Sequence, residues 1–264
     1  MDNIKDKVIW VTGASSGIGE ALSYKLNGLG AKLILSARRE TELERVKNNC
    51  SFPNKVAVLP LDLANFTELE DMPKKALSLY GNIDILVNNG GVSQRSLIKD
   101  TSFKVYQELI NINYLGTIQL TKCMLPYFID AKSGHFVTVT SLMGKFSSPY
   151  RSGYCGAKHA LHGFFDSLRM EHEKDRIYVT MVCPGFVQTN VSKNALIGDG
   201  SSSNTDDTAT KNGIAPEDCA QQIIEGIKRK KFEVYIGGKE KYGVYLKRFF
   251  PKLLHKLVLR SNVR

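Results

Sequence analysis

The chain has 264 residues and a mass of 29.4 kDa, with 42% hydrophobic and 23% charged residues, the proportions of a globular chain with one large core rather than a disordered one. Its net charge of +10 gathers at one end: Lys228–Arg264 carries 12 Lys or Arg against two acids, Glu233 and Glu240, whereas residues 1–227 hold 24 of each sign. No run approaches the roughly 18 apolar residues of a membrane-spanning helix, and Met1-Asp-Asn-Ile-Lys-Asp-Lys lacks a secretory pattern, so a secreted or integral membrane protein is not expected.

Apolar runs of strand length stand at Val8–Val11, Lys32–Leu35, Val56–Leu59, Ile83–Val87, Phe136–Val139, Tyr178–Val182 and Phe232–Ile236. They do not alternate with polar residues, as expected of parallel strands covered on both faces. Helical spacing fills the intervals at 17–29, 41–49, 66–80, 102–131, 151–174 and 216–230. The alternation predicts a single-domain α/β fold: a Rossmann-type, doubly wound, seven-stranded parallel sheet with helices on both faces. Five dispersed cysteines (Cys50, Cys123, Cys155, Cys183, Cys219), with no C-x-x-C pair, argue against a disulfide framework or zinc site and fit a reducing cytoplasm.

The first strand runs into Thr12-Gly13-Ala14-Ser15-Ser16-Gly17-Ile18-Gly19 and then a helical stretch. Glycines at this turn let the backbone approach a pyrophosphate closely, and the helix start presents free N–H groups to the anion. The second strand ends in Ala37-Arg38-Arg39 with no acid at its tip. A carboxylate there would bind the ribose hydroxyl of NAD, whereas an arginine fork suits the 2′-phosphate of NADP, so NADP(H) is expected. The fifth strand delivers Ser141 to the carboxyl edge of the sheet, where it could donate to a developing oxyanion or cap the next segment; Thr140 should face the other way. In the next helix Tyr154 and Lys158 lie one turn apart on one face. An ammonium beside a phenol lowers its pKa and makes Tyr154 a usable general acid.

These residues resemble the short-chain dehydrogenase/reductase family from about Lys5 to Gly238. The glycine loop resembles the family's cofactor loop, and Tyr154-x-x-x-Lys158 with Ser141 its active site. The resemblance implies a fourth catalytic residue at Asn113, holding a relay water. It implies an adenine contact at Asp62, in Leu61-Asp62-Leu63, and a ribose-lining segment at Asn88-Asn89-Gly90-Gly91, one Gly away from the usual Asn-Asn-Ala-Gly. A nicotinamide-side loop is implied at Pro184-Gly185-Phe186-Val187-Gln188-Thr189. Within the family, Asn88–Ser96, Asn113–Thr117 and Gly153–Leu161 are similar to the branch called dehydrogenase/reductase SDR family member 7, associated with NADPH-dependent reduction of hydrophobic carbonyls. The resemblance implies that animal members of that branch carry N-terminal apolar segments; no such segment is expected here.

The expected function is hydride transfer between NADP(H) and a hydrophobic ketone, aldehyde or secondary alcohol, with no metal. Two alternatives stand beside it: 3-oxoacyl-(acyl carrier protein) reduction, and a non-catalytic NADP(H)-sensing or scaffold protein. Pocket walls are expected from Ser93–Leu97, Leu142–Phe146 (with Met143 and Phe146 foremost), Pro149-Tyr150, Phe186 and the turn-rich segment 191–214, a candidate lid within a catalytic unit of residues 1–238. The five histidines show no ligand spacing and read as structural or solvent-facing. The basic extension 239–264 is divided by Pro251 into two expected short helices. Docking on the domain or on a subunit is its leading role, peripheral membrane contact the second, and no nucleic acid is expected. The resemblance implies a homodimer or homotetramer through 102–131 and 151–174.

Overall fold

The computed structural model describes residues 3–205 and 207–261; Asp206 of the candidate lid and residues 262–264 of the basic extension lie outside the described residues. In chain order the sheet strands and helices begin with β1 (Val8–Thr12), α1 (Gly17–Gly28), β2 (Lys32–Ser36), α2 (Glu40–Asn48), β3 (Val56–Val58) and α3 (Phe66–Tyr80). After β4 (Ile85–Asn88) come α4 (Phe103–Ile110), α5 (Gly116–Asp130), β5 (Gly134–Val139), α6 (Ser152–Glu171) and β6 (Ile177–Pro184). The chain closes with α7 (Thr208–Lys211), α8 (Pro216–Lys228), β7 (Glu233–Ile236), α9 (Gly243–Phe249) and α10 (Pro251–Arg260).

The seven strands form one parallel sheet in the order β3-β2-β1-β4-β5-β6-β7. Strand order reverses between β1 and β4, which opens a crevice at their carboxyl ends, where such sheets bind ligands. Alternate residues of each strand go to opposite faces, and both faces are buried. Ile9, Val11, Leu33 and Leu35 pack with Leu22 and Leu26 of α1 and Ile223 and Ile227 of α8. Trp10, Ile34, Leu86 and Phe136 pack with Leu69 and Met72 of α3, Leu120 and Met124 of α5, and Phe165 of α6. This two-sided burial is why the strand sequences do not alternate. Trp10 is fully buried, and its indole N–H donates to Ser36 Oγ at 2.8 Å, so its one polar atom is paired.

One stretch departs from the expected pattern. Residues 102–131 are not one α-helix: a π-turn at Asn111–Leu115 separates α4 from α5, with Gly116 N–H reaching back to Asn111 O. The wider turn carries Asn113, and such π-bulges recur at functional positions. Gly116 is required just behind it, because a Cβ there would sit 2.1 Å from Leu63 O.

The basic extension does form two helices, with Pro251 in the first turn of α10, where its missing N–H costs no hydrogen bond. Leu254 of α10 is buried against Leu142, Phe146 and Cys183. No helix among the described residues is long and apolar enough to cross a membrane.

Candidate functional site

The turn after β1 is shaped by glycine. Gly13 and Gly17 have φ of +64° and +59°, a region disfavoured for other residues, and a Cβ on Gly19 would lie 2.3 Å from Gly13 O. Ser16 caps α1 without a side-chain hydrogen bond, which leaves the first N–H groups of the helix facing the crevice. The adjoining β4 loop is sewn to this turn by Thr12, whose hydroxyl accepts from Asn89 N–H (3.0 Å) and Gly90 N–H (3.1 Å). Asn89 Nδ2 donates in return to the carbonyls of Thr12 (3.1 Å) and Gly13 (3.2 Å). Thr12 thus pins the two loops together, a role that its place in the motif does not by itself reveal. Backbone proximity explains Gly90 as well: a Cβ there would meet Leu63 Cδ1 at 2.7 Å.

These groups line a cavity of about 640 Å³ at the carboxyl ends of the strands. It brings together Gly13, Ser15, Ser16, Gly17 and Ile18 with Arg38, Arg39, Asp62, Leu63, Asn89, Gly90 and Gly91. Pro184, Gly185, Val187 and Thr189 close its other side. Gly19 lies behind the loop, outside the lining. Arg38 and Arg39 are exposed at the tip of β2, and their guanidinium groups make no hydrogen bond or ion pair among the described residues. Asp62 orders its own turn, Oδ1 accepting from Ala64 N–H at 2.9 Å. A backbone cradle that a Cβ would fill, an uncapped helix start and two unpaired guanidiniums together fit a phosphate-rich dinucleotide.

The same cavity is lined by Asn113, Ser141, Tyr154 and Lys158. Tyr154 and Lys158 stand on the first turns of α6, with Lys158 Nζ 5.8 Å from the Tyr154 ring centroid. The start of α6 is capped from outside by Gln94, a fully buried side chain whose Oε1 accepts from Gly153 N–H at 2.7 Å and Tyr154 N–H at 3.3 Å. Asn113 spends its side chain on the backbone of Val92: Oδ1 accepts from Val92 N–H (2.9 Å) and Nδ2 donates to Val92 O (3.0 Å). Gly91 fits between these groups only as glycine, since a Cβ would stand 2.5 Å from Asn113 Oδ1 and 3.6 Å from Lys158 Nζ. Of the two parts considered for Ser141, the cap is the one seen, and its own O–H is given to Pro184 O at 3.3 Å. Its hydroxyl caps the following turn by accepting from Met143 N–H (3.1 Å) and also faces the cavity. The Thr140 hydroxyl turns away, bonded to Val182 O (3.0 Å) and His162 Nε2 (3.2 Å).

The electrostatics correct one expectation. Lys158 is buried, donates to Val139 O at 2.9 Å, and has its pKa pushed down to about 8 by desolvation. Burial also pushes the Tyr154 phenol above its ordinary pKa, against smaller opposing pulls from the Ser141 hydroxyl and the Arg95 and Arg151 charges. The lowering expected from Lys158 is therefore not delivered by the fold alone.

The expected substrate wall is only partly assembled. Phe146 is 6% exposed and packs with Leu142, Cys183 and Leu254 under the terminal helices; Met143 lies against the same cluster. Neither lines the cavity, nor does Phe186. Phe146 and Met143 share this cluster with Leu254, a residue more than a hundred positions further along the chain. Of the expected wall, Ser93 and, from segment 191–214, Asn194, Leu196 and Ser202 do line the cavity, joined by Val92 and Ile112.

Segment 191–214 is folded over this end rather than short of buried groups. Ala195 and Leu196 are buried, Leu196 N–H donates to Ser93 O (2.9 Å), and Arg95 N–H donates to Leu196 O (2.8 Å). Asp207 anchors it from below: Oδ2 accepts from Arg95 (2.7 Å) and Arg151 (3.3 Å), while Oδ1 caps α7 at Thr210 N–H (2.7 Å). The Arg95 and Asp207 side chains are 12% and 5% exposed, so this pair is buried. Nothing local in the sequence marks Arg95, Arg151 and Asp207 as partners.

Comparison with known proteins agrees with this architecture. A family model described as short chain dehydrogenase matches residues 7–198. The human protein dehydrogenase/reductase SDR family member 7 is 54% identical over 202 residues, which cover 74% of this chain and 60% of that protein. The mouse protein of the same name is 43% identical over 255 residues, covering 94% of this chain and 75% of that protein. A crystal structure of a short chain dehydrogenase/reductase from Burkholderia phymatum in complex with NAD superposes with a TM-score of 0.83 at 21% identity, covering 100% of this chain and 98% of that one. With the sheet order, the glycine turn and these relatives in hand, the chain belongs to the short-chain dehydrogenase/reductase family, in its dehydrogenase/reductase SDR family member 7 branch.

Proposed function

We propose that this chain is an NADP(H)-dependent oxidoreductase that interconverts a small hydrophobic ketone or aldehyde and the corresponding alcohol. The observation that carries the reading is the convergence of Asn113, Ser141, Tyr154 and Lys158 on the cavity that also holds the glycine turn and Arg38. The turn Gly13–Gly19 and the start of α1 would hold the pyrophosphate, Asp62 and Leu63 the adenine side, and Asn89–Gly91 the ribose. Arg38, with Arg39 beside it, favours a 2′-phosphate because its guanidinium is exposed to the groove and committed to no carboxylate. Bound there, the cofactor supplies or accepts the hydride at the substrate's carbonyl carbon. Tyr154 gives its proton to the carbonyl oxygen in reduction, and a phenol kept neutral by burial is in the right state to donate. Ser141 steadies the same oxygen, Lys158 holds the cofactor's ribose hydroxyls and the Tyr154 environment, and Asn113 keeps the Val92 backbone in register beneath them.

The cavity wall of Val92, Ile112 and Leu196, with hydroxyls from Ser93 and Ser202, suits an apolar body with a polar edge. Exposed Phe103 (75%) and Met170 (72%) on α4 and α6 support homo-oligomerisation through those helices, and the unpaired cysteines fit a reducing cytoplasm. The deciding experiment is an NADPH-oxidation screen over steroids, retinal, quinones and 3-oxoacyl thioesters. Turnover of an apolar ketone or aldehyde supports the reading. Turnover of the thioesters alone assigns the chain to 3-oxoacyl reduction, and NADPH binding without any turnover assigns it a sensing role.

A further inference from the structure

The terminal helices leave a surface that the proposed chemistry does not use. Of 17 large hydrophobic side chains exposed among the described residues, seven stand between Tyr242 and Leu259, a share far above that segment's length. Each helix turns an i,i+4 pair outward, Tyr245 with Phe249 on α9 and Leu253 with Leu257 on α10, and Phe250 projects at the corner. Apart from Tyr245, whose ring also meets Tyr235 of β7 edge-on at 6.3 Å between centroids, these are not the residues that dock the extension on the domain. That contact is made from the other side of the helices, by Leu254 with Val244, Leu246 and Val258. The face is also cationic. Residues 239–261 carry seven Lys or Arg and one acid, Glu240, whose carboxylate is turned inward to accept from Gly238 N–H at 3.0 Å. Lys247, Arg248, Lys252 and Lys256 form no ion pair among the described residues.

We propose that α9 and α10 dock this protein peripherally on an anionic lipid surface. Aromatic and leucine tips enter the headgroup boundary while the lysine stems run along it and hold their ammonium groups at the phosphates. Charge disfavours a second copy as the occupant, because a two-fold contact sets the same seven cations against themselves. A protein partner's anchoring side chain would want a pocket, and neither the cavity at the strand ends nor the one lined by Gln188, Thr189, Asn190, Thr210 and Lys211 includes a residue of this extension. The inference holds whether or not the chain reduces carbonyls.

The test is co-sedimentation of the full chain with phosphatidylcholine vesicles and with vesicles that also contain phosphatidylserine, at low and high salt. Wild-type protein is expected to pellet with the anionic vesicles and to lose roughly tenfold in affinity at high salt, where surface attraction is screened. The double variant Phe249→Ser, Phe250→Ser and the triple variant Lys247→Glu, Arg248→Glu, Lys252→Glu are each expected to lose at least roughly tenfold. The substituted side chains are exposed, so an unchanged Tm verifies that the variants fold. Wild-type protein that ignores both vesicle types at low salt overturns the proposal, as does binding that the charge reversal leaves intact. Light scattering that shows the double variant splitting an oligomer, with no vesicle binding by the wild type, overturns it in favour of a second copy.

Discussion

Replacing Lys158 by methionine tests the physics of the cavity floor without any substrate. Lys158 is 4% exposed, and its ammonium donates to Val139 O at 2.9 Å. Desolvation lowers its pKa from 10.5 to about 8. Each factor of ten in proton affinity is worth about 1.4 kcal/mol, so holding that ammonium charged at pH 7 costs the fold about 3 kcal/mol. Methionine keeps the length of the side chain and drops the charge, but it leaves the Val139 carbonyl unpaired, which costs about 1–2 kcal/mol. The variant is therefore expected to be about 1–2 kcal/mol more stable than wild type at pH 7 without nucleotide. The pH dependence fixes the sign. The folded pKa lies below the unfolded one, so between pH 8 and 10.5 the unfolded chain binds the extra proton and the wild type gains stability as pH rises. The variant's advantage should shrink by about 1.4 kcal/mol between pH 7 and pH 9. Burial lifts the thiols of Cys183 and Cys219 to about 12, and these act in the opposite direction above pH 9. The Lys158 charge pulls the Cys183 thiol down somewhat, but with or without it both thiols stay protonated in the folded proteins up to pH 9, so the difference between the two proteins is the quantity to read. Urea denaturation of both proteins at pH 7, 8 and 9 makes the measurement. A variant less stable than wild type at pH 7, or an advantage unchanged at pH 9, refutes the reasoning.

Three further outcomes are expected. Tyr154→Phe should lower kcat by about 10²–10⁴-fold while leaving NADPH affinity near that of wild type, and wild-type-like turnover would remove Tyr154 from the proton transfer. Arg38→Asp should raise the KM for NADPH by roughly tenfold or more and change the KM for NADH little, since one charge-assisted hydrogen bond is lost only with the phosphate. Equal effects on the two cofactors would place the 2′-phosphate elsewhere. Asp207→Asn leaves Arg95 and Arg151 facing an amide and should cost roughly 3 kcal/mol in urea denaturation. It should also open 191–214 to limited proteolysis, with NADPH protecting the wild type; cleavage that ignores both the substitution and the nucleotide would mean the segment is no lid.

How much of this was legible in the sequence follows from the range of the interactions. The strands were readable because a parallel strand buried on both faces must be apolar at nearly every position, as Val8–Val11 and Ile85–Val87 are. The glycine turn was readable because Gly13 and Gly17 answer to local backbone conformation and Gly19 to a neighbour only six residues away. Tyr154 and Lys158 were readable as a pair because helical geometry alone puts residues four apart on one face. The π-turn was not, since 102–131 keeps helical periodicity through it and the extra residue is stabilised by Asn113 clamping Val92, 21 positions away.

The substrate wall shows where local reasoning stops. Phe146 and Met143 carry the right chemistry for an apolar pocket and sit just after Ser141, yet which side of the turn they occupy depends on whether Leu254 offers a better-packed neighbour, and it does. In the same way, a turn-rich segment with little to bury reads as loose until Asp207 finds Arg95 and Arg151, partners 112 and 56 residues away. Burial of that carboxylate is tolerable only because both guanidiniums reach it, so the pair is a product of the finished fold and cannot precede it. The consequence extends to Tyr154. Its phenol is held up by the desolvation that Leu196 and the folded-over segment help to impose, and Arg95 and Arg151, which pull it down, are the same groups that hold that segment in place. Loosening the segment therefore acts on the proton donor twice, with opposite signs: water returns to the phenol and the two guanidinium charges are freed to move away from it. A pH–rate profile of Asp207→Asn separates the two, because a downward shift of the Tyr154 limb means that rehydration dominates and an upward shift that the lost guanidinium charges do.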